Sequence, residues 1–285
     1  MWNLPRGRRK QRAEEPQDAA AAAQRKRRSS AVKRGTSEED VKAIAESLSS
    51  RLIPALGLDL IGLQPADIKD LVYSIVSSLA ESRSSKLTEE AAMKRIVAMK
   101  DNVLKAVSAS LLSKGQHLTR EQLEFIVAYA PEMAGRAAPY LYREALRLKA
   151  DDIIDSLRSL WSQYGNPTPV ECPRCGFRAV TPDLTCMVCG AELSEGEIKK
   201  HIGLEKVLES LATRLHPRLI EEIASAGYVV LDDDVKPPSL APKQGYALVL
   251  HLSRSEREIL QKLLNSQGRA QGAGDQQLPS GSQVP

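Results

Sequence analysis

Apolar residues between positions 37 and 165 recur at three- and four-residue steps, which is the spacing of amphipathic helices. The clearest run places five residues on one helical face: Ile96, Met99, Val103, Val107 and Leu111. Core packing is the simplest reason for such a face, because an apolar stripe is stabilised by burial. The pattern therefore predicts a helical bundle, which we assign to residues 37–165.

The starts of these helices are marked by residues that satisfy free amide groups or suit a first turn. The marks are the capping-box pair Thr36 and Glu39, then Pro65, and then the capping-box pair Thr119 and Gln122. We expect helices to begin near residues 38, 65, 88 and 119. A further helix is expected from about 136 to 163, adjusted at Pro139.

The pattern changes at residues 165–169, where turn formers are combined with two prolines that cannot continue a helix. We place a domain boundary there, followed by a cysteine-rich module at 170–193. Residues 194–265 then carry both helix and strand signals. One helix is expected from Ser194 through Leu211, a second near Pro217, and a last one capped by Ser253 with Glu256. Strands at 228–231 and 246–252 are expected to pair antiparallel, which predicts a small α+β domain.

The two ends of the chain lack the periodic apolar positions that a packed face requires. Residues 1–36 combine arginine clusters with two prolines and an alanine run, and residues 266–285 are rich in Gly, Gln and Ser. We expect both ends to be disordered tails. The composition of the 285 residues, 42% hydrophobic but only 4% aromatic, favours a mainly α protein over an all-β sandwich.

The net charge of +4 is unevenly distributed along the chain. Residues 1–36 contain eleven basic and three acidic side chains, a net charge of +8, which leaves −4 for the rest. These charges precede no apolar stretch of the kind a secretory signal needs, and no segment approaches the ~20 apolar residues of a bilayer span. We expect a soluble protein without a membrane partner, cytoplasmic, or nuclear if its source is eukaryotic.

All four cysteines lie in two C-x-x-C pairs between residues 172 and 189. Each pair lets one tight turn aim two sulfurs at the same ion, and the glycine after each pair permits a positive φ. A disulfide framework would instead spread its cysteines over the elements that it joins. Four thiolates close a tetrahedral Zn²⁺ shell and leave no open position for a substrate. The pattern therefore indicates a structural zinc site with four ligands: Cys172, Cys175, Cys186 and Cys189.

Between the pairs, Thr181-Pro182-Asp183 favours a hairpin with a proline-initiated turn. In these residues the sequence resembles a zinc ribbon, the two-knuckle module of RNA polymerase subunits, transcription factors and ribosomal proteins. The resemblance covers residues 172–190, and its metal-binding role transfers to the four cysteines individually. It implies a setting in transcription, translation or genome maintenance. We recognise no family for the helical bundle or the C-terminal region.

Other thiolate sites remain open at this point. A rubredoxin-like iron site uses similar knuckles, and an iron–sulfur cluster also takes four thiolates, although nothing else in the sequence suggests electron transfer. A thioredoxin-type redox pair needs one C-x-x-C near a βαβ unit, which the pattern lacks. His201 is close in sequence but is not needed as a ligand, so we expect it at the surface or beside the site.

Nucleic-acid binding is expected mainly from the N-terminal tail, because residues 170–200 carry a net charge of −1. Clustered Lys and Arg side chains release counterions from phosphates without reading a base sequence. The candidate residues are Arg6, Arg8, Arg9, Lys10, Arg12, Arg25, Lys26, Arg27, Arg28, Lys33 and Arg34. Residues 83–120, with a net charge of +5, are a second candidate, for which a solvated helix face is the plainer interpretation. A nuclear-import signal or an acidic membrane surface is a weaker interpretation of the tail.

The sequence contains no phosphate-binding loop, dinucleotide fingerprint, zinc-protease motif or nucleophile elbow, so we expect no enzymatic activity. Our leading hypothesis is a zinc-ribbon protein that associates with nucleic acid or with a ribonucleoprotein or transcription complex. The alternatives are a protein-interaction adaptor and a regulatory subunit of a larger complex. A winged-helix interpretation of residues 217–252 is weaker, because the loop at 232–245 is long for a wing and the helix carries Glu221 and Glu222.

Overall fold

A computed structural model describes residues 35–241 and 247–272, with side chains up to residue 266. The described part is mainly α-helical with one small antiparallel sheet, which confirms the predicted fold class. It divides into two compact units, one ending at Lys100 and the other beginning at Asp101. The basic residues from Arg6 to Arg34, named above as candidates for nucleic-acid binding, lie outside the described residues, as do 273–285 of the predicted C-terminal tail.

From residue 35 onward, the first unit forms the α-helices α1 (Glu38–Ala55), α2 (Pro65–Glu81) and α3 (Glu89–Ala98). Their starts confirm the predictions near residues 38, 65 and 88. A short 3-10 helix, Leu58–Ile61, lies between Gly57 and Gly62, both of which have a left-handed backbone. The core of the unit consists of fully buried aliphatic side chains, among them Leu48, Leu52, Leu58, Val76 and Ile96.

The predicted cap of α1 is wrong by one residue. Ser37, not Thr36, is the N-cap, and it forms a capping box with Asp40. The hydroxyl of Thr36 accepts a hydrogen bond from the backbone N–H of Leu87 at 2.8 Å instead. Thr36 therefore ties the start of α1 to the segment before α3, a contact that no local spacing rule reveals.

The continuous helix predicted through Met99 is interrupted there. Helix α3 ends at Ala98, and α4 (Lys100–Ser113) begins after Met99, whose backbone leaves the helical region at φ −104 and ψ 25. Met99 is 37% exposed rather than part of a buried face. The apolar residues on either side of the break are both buried, Ile96 in the first unit and Val103 in the second. The sequence period therefore looks continuous although the helix is interrupted.

The second unit continues from α4 with four helices: α5 (Arg120–Tyr129), α6 (Pro131–Arg136), α7 (Ala138–Leu148) and α8 (Asp151–Tyr164). The start of α5 and its capping box confirm the prediction. The single helix predicted from 136 to 163 is wrong, because the chain turns at Ala137 and again at Lys149, which adopts a left-handed conformation at φ 54. Pro139 lies in the first turn of α7, where a backbone N–H would have no hydrogen-bond partner within the helix, so its absence does not weaken the helix.

Helices α6 and α8 approach each other closely at Gly135. A Cβ atom built there would lie 2.5 Å from the carbonyl oxygen of Leu160, so only glycine fits this crossing. The contact fixes the position of α8, the helix on which the cysteine module rests.

After the cysteine module, the chain forms α9 (Glu195–Ile202), α10 (Leu204–Arg214) and α11 (Pro217–Ala226). The single helix predicted from Ser194 through Leu211 is divided, because Gly203 takes a left-handed conformation at φ 62. The capping box at Ser194 and the helix start at Pro217 are confirmed. Gly227 ends α11 with a positive φ of 75°.

The sheet has the strand order β2-β1-β3, with β1 (Tyr228–Leu231) at its centre, β2 (Val235–Lys236) and β3 (Leu248–His251). The antiparallel pairing of β1 with β3 confirms the prediction, with Tyr228 opposite His251. The proline-rich connection lies against α11, since the carboxylate of Glu222 accepts hydrogen bonds from the N–H and hydroxyl of Ser239. This contact occupies part of the helix that a winged-helix interpretation would turn toward DNA.

The last helix, α12 (Arg254–Gly272), packs on α10 and α11. Its capping box is confirmed, with the N–H of Ser253 donating to Glu256 at 2.6 Å. The helix continues beyond residue 265, into the segment predicted as a tail, because each added residue gains one backbone hydrogen bond once the helix is nucleated. Within the described residues, no helix has both the length and the apolar composition needed to cross a membrane.

Candidate metal centre

The two C-x-x-C pairs form turns with matching hydrogen bonds. In the first, the N–H of Cys172 donates to the carbonyl of Phe177, and the N–H of Gly176 donates back to Cys172. In the second, Cys186 donates to Ala191, and Gly190 donates back to Cys186. Gly176 and Gly190 have φ values of 75° and 71°, as the sequence predicts for the residue that leaves each turn.

A hairpin joins the two turns and sets them face to face. The N–H of Leu184 donates to the carbonyl of Thr181 at 2.9 Å, which closes the predicted turn through Pro182 and Asp183. A further hydrogen bond from Met187 to Ala179 brings the second turn back beside the first. These bonds give the module of residues 170–193, called the ribbon below, its two-knuckle form.

The four thiol sulfurs converge on one point. The Sγ atoms of Cys172 and Cys189 are 3.8 Å apart, those of Cys175 and Cys186 are 3.6 Å apart, and all four lie within 4.8 Å of one another. Sulfurs about 2.3 Å from a central tetrahedral ion are separated by about 3.8 Å, so the arrangement fits one metal ion. These distances exceed the ~2 Å of a disulfide bond, and all four cysteines are free.

Crowding and burial shift the pKa values of Cys175, Cys186 and Cys189. The hydrogen bond to Cys186, together with burial, raises the pKa of Cys175, and the same bond lowers the pKa of Cys186. Burial also raises the pKa of Cys189 to about 11. Without a metal, the close sulfurs share protons, and their pKa values move in opposite directions. A divalent cation in the centre would replace those protons and favour the thiolate form of all four cysteines.

The ribbon is docked onto α7 and α8 by three contacts that sequence reasoning missed. The indole N–H of Trp161 donates to the carbonyl of Arg178 at 2.9 Å, and Nε of Arg158 donates to the carbonyl of Cys175 at 2.9 Å. The rings of Tyr142 and Phe177 pack edge to face, with their centroids 5.3 Å apart. Trp161 is buried, and the N–H of its ring contacts the ribbon.

Charged side chains around the ribbon are largely engaged with one another. Arg174 lies 3.3 Å from the carboxylate of Glu197, and Arg178 lies 3.4 Å from that of Asp233. His201 lies 3.8 Å from Glu171 and is not part of the thiol cluster, in agreement with the expected place at the surface or beside the site.

The second candidate for nucleic-acid binding, residues 83–120, contains both paired and free cations. Lys86 pairs with Asp40, and Arg120 pairs with Glu124 and Asp152. Arg83 and Arg95 instead line one cavity of about 410 Å³ in the first unit, together with Leu79, Ser82, Leu87 and Ala91. Among the described residues, no acidic side chain lines this cavity.

The resemblance to zinc ribbons therefore rests on the geometry of residues 170–193, which brings the predicted four cysteines together. The structure adds three residues of α7 and α8 to this site, none of which has a distinctive sequence signal. No protein-family model, no curated protein and no solved structure matches this chain.

Proposed function

We propose that this chain is a non-enzymatic zinc-ribbon protein that associates with nucleic acid or with a ribonucleoprotein or transcription complex. The observation that carries the proposal is the convergence of four cysteine sulfurs within 4.8 Å of one another. Four thiolates fill the tetrahedral shell of Zn²⁺, so the ion has no position left for substrate or activated water. Its role is to hold the ribbon folded.

Zinc fits the ligand set better than an iron–sulfur cluster does. The sulfur separations of 3.6 and 3.8 Å match a single central ion, whereas a cluster of several metal ions and sulfides would push the thiolates further apart. A single iron ion of the rubredoxin kind has the same ligand geometry. Zn²⁺ is preferred because it needs no electron-transfer partner and is stable as a structural ion.

Support for a nucleic-acid partner comes from two basic regions rather than from the ribbon. Residues 1–36 carry a net charge of +8, enough to neutralise several phosphates. In the first unit, Arg83 and Arg95 line one cavity whose other described lining residues, Leu79, Ser82, Leu87 and Ala91, include no acidic side chain. The ribbon itself has a net charge near zero and its arginines are paired, so it acts as a scaffold.

The test is nucleic-acid binding by fluorescence anisotropy over a salt series, with single-stranded RNA and duplex DNA as probes. Three proteins are compared with the wild type: a chain lacking residues 1–34, the double variant Arg83→Ala/Arg95→Ala, and the control Lys42→Ala/Lys69→Ala. The truncation keeps Thr36, whose hydroxyl holds Leu87. The control removes the same charge from lysines that are paired with Glu38 and Glu46.

We expect the logarithm of the affinity to fall linearly with the logarithm of the salt concentration, by about 0.9 per phosphate contact on duplex DNA and about 0.7 on single strands. Truncation is expected to remove most of that slope, the arginine pair a smaller part, and the lysine pair little. Weak binding at low salt by the wild type would contradict the nucleic-acid proposal. Specific protein capture in that case would favour the adaptor alternative.

A further inference from the structure

Arg158, on α8, reaches the first knuckle of the ribbon. Its Nε atom donates to the carbonyl oxygen of Cys175 at 2.9 Å, and its terminal nitrogen lies 2.6 Å from the carboxylate of Asp155. Two fixed partners therefore hold the guanidinium in place, one in the knuckle and one on its own helix.

The approach of Arg158 depends on a glycine in the knuckle. A Cβ atom built on Gly176 would lie 2.8 Å from Nε of Arg158 and 3.0 Å from its central carbon. Gly190, at the equivalent position of the second knuckle, has no heavy atom within 4 Å of a built Cβ. The two knuckles are therefore alike in backbone, but among the described residues a side chain from α8 packs against the glycine of the first knuckle and none packs against that of the second.

The charge of this arginine matches what a filled site requires. Four thiolates and one divalent cation leave a net double negative charge, partly buried between the knuckles. Arg174 and Arg158 are each paired with a carboxylate, Glu197 and Asp155 respectively, but Arg158 also donates a hydrogen bond to the backbone of the ligand Cys175. A cation held against Cys175, one of the ligands, lowers the cost of gathering four negative sulfurs.

We propose that Arg158 is a positioning residue of the metal centre, which fixes the first knuckle through the Cys175 carbonyl and offsets the charge of the metal-bound thiolates. The inference rests on the proposed zinc site. Its consequence is reciprocal: metal binding favours docking of the ribbon on α8, and docking favours metal binding by the same factor.

The experiment measures the zinc affinity of full-length protein by competition with a chromophoric chelator. The variants are Arg158→Gln, which loses the charge, and Arg158→Lys, which keeps it. Two controls separate other effects. Arg174→Gln removes a ribbon arginine that is paired elsewhere, and Trp161→Phe removes a docking hydrogen bond without changing charge.

We expect Arg158→Gln to weaken zinc binding about 10- to 100-fold, the range found for residues that support metal ligands. Arg158→Lys is expected to recover much of the loss, and Arg174→Gln to stay within about threefold of the wild type. In the cobalt-substituted protein, the thiolate-to-metal absorption is expected to shift in Arg158→Gln but not in Trp161→Phe. A purely structural role for Arg158 would not produce that difference.

Zinc affinity of Arg158→Gln within threefold of the wild type would overturn the inference and leave the zinc site intact. Absence of zinc from the wild type itself would overturn the proposed function instead. If Arg158→Gln loses its helical circular dichroism, it has unfolded, and the zinc affinity of Arg158→Lys is used in its place. Affinity no better for Arg158→Lys than for a Trp161→Phe variant would then overturn the inference, and affinity close to the wild type would support it.

Discussion

Gly176 and Gly190 share a backbone conformation but have different surroundings. Both have a positive φ, which costs a residue with a Cβ about 1–2 kcal/mol. Only at Gly176 does a Cβ also displace a side chain, that of Arg158, which is held by hydrogen bonds to Cys175 and Asp155. At the scale of single residues, the knuckles are therefore unequal.

Replacing each glycine by alanine is expected to separate the cost of backbone strain from the cost of displacing Arg158. Gly190→Ala should destabilise the metal-loaded protein by about 1–2 kcal/mol through backbone strain alone. Gly176→Ala should cost about 1 kcal/mol more, because a hydrogen bond of Arg158 is lost as well. Denaturant unfolding measures both, and equal losses for the two variants would contradict the contact with Arg158.

Glu144 is a second residue whose environment the sequence does not reveal. It is 6% exposed, and its carboxylate accepts hydrogen bonds from the N–H of Leu118 at 3.0 Å and from Arg147 at 2.7 Å. His117 Nδ1 lies 3.1 Å from the other oxygen. Burial by itself raises the pKa of Glu144, but the hydrogen bonds from Arg147, His117 and Leu118 outweigh it and hold the pKa below its ordinary value.

A carboxylate with a lowered folded-state pKa stabilises the protein above the unfolded pKa of about 4.3, and this stabilisation is lost as the pH falls through the folded pKa. Glu144→Gln is therefore expected to cost about 1–3 kcal/mol at pH 7, and less at pH 3 than at pH 7. Urea unfolding at several pH values checks this. The control Glu124→Gln, at an exposed pair with Arg120, should change little. A Glu144→Gln effect independent of pH would refute the assignment.

Helices and strands are the level at which the sequence was most informative, and the errors there have physical causes. Starts at residues 38, 65, 89 and 120 follow from capping residues and a first-turn proline, which act locally. The missed interruptions at Met99 and Lys149 involve residues that are ordinary in helices. The local apolar pattern runs through both positions, so it gives no signal for either turn.

The four cysteines were predictable because ligand spacing is itself local, whereas Arg158, Trp161 and Tyr142 were not. These three lie at ordinary positions of α7 and α8, and only tertiary packing brings them to the ribbon. The predicted boundaries between the helical region, the ribbon and the C-terminal region stay predictions.

The largely buried ion pair between Lys199 of α9 and Glu256 of α12 links two elements of the C-terminal region. The side chains are 17% and 12% exposed, and Nζ lies 3.2 Å from the carboxylate that also caps α12. Lys199→Ala is expected to destabilise the protein by about 1–3 kcal/mol, because Glu256 loses its charged partner while it stays mostly buried. The neighbouring exposed Lys200→Ala is the control in thermal unfolding. Equal effects of the two substitutions would show that the pair does not join the helices.

At the scale of the whole molecule, the proposed metal would hold together the small ribbon that packs on α7 and α8. Such modules have few apolar groups of their own, and metal binding contributes about 10–16 kcal/mol of apparent free energy to their folding. We therefore expect the docking contacts of Trp161 and Arg158 to depend on metal binding.

Removal of the metal by a strong chelator is expected to unfold the ribbon while most helical circular dichroism remains. Trp161, which is 4% exposed, should become solvated, so its fluorescence should shift to longer wavelength. The chain has one other tryptophan, Trp2, and a Trp2→Phe background isolates the signal. Emission that is unchanged after metal loss would show that the ribbon stays docked without the ion.

The central claim is that one zinc ion, held by Cys172, Cys175, Cys186 and Cys189, organises this molecule. Native mass spectrometry of the purified protein, combined with elemental analysis and thiol counting, tests it most directly. The expected result is one Zn²⁺ per chain with all four cysteines unmodified, and loss of that ion in Cys175→Ser/Cys189→Ser. A folded wild-type chain with four reduced thiols and no bound metal, or a double variant with undiminished zinc, would contradict it.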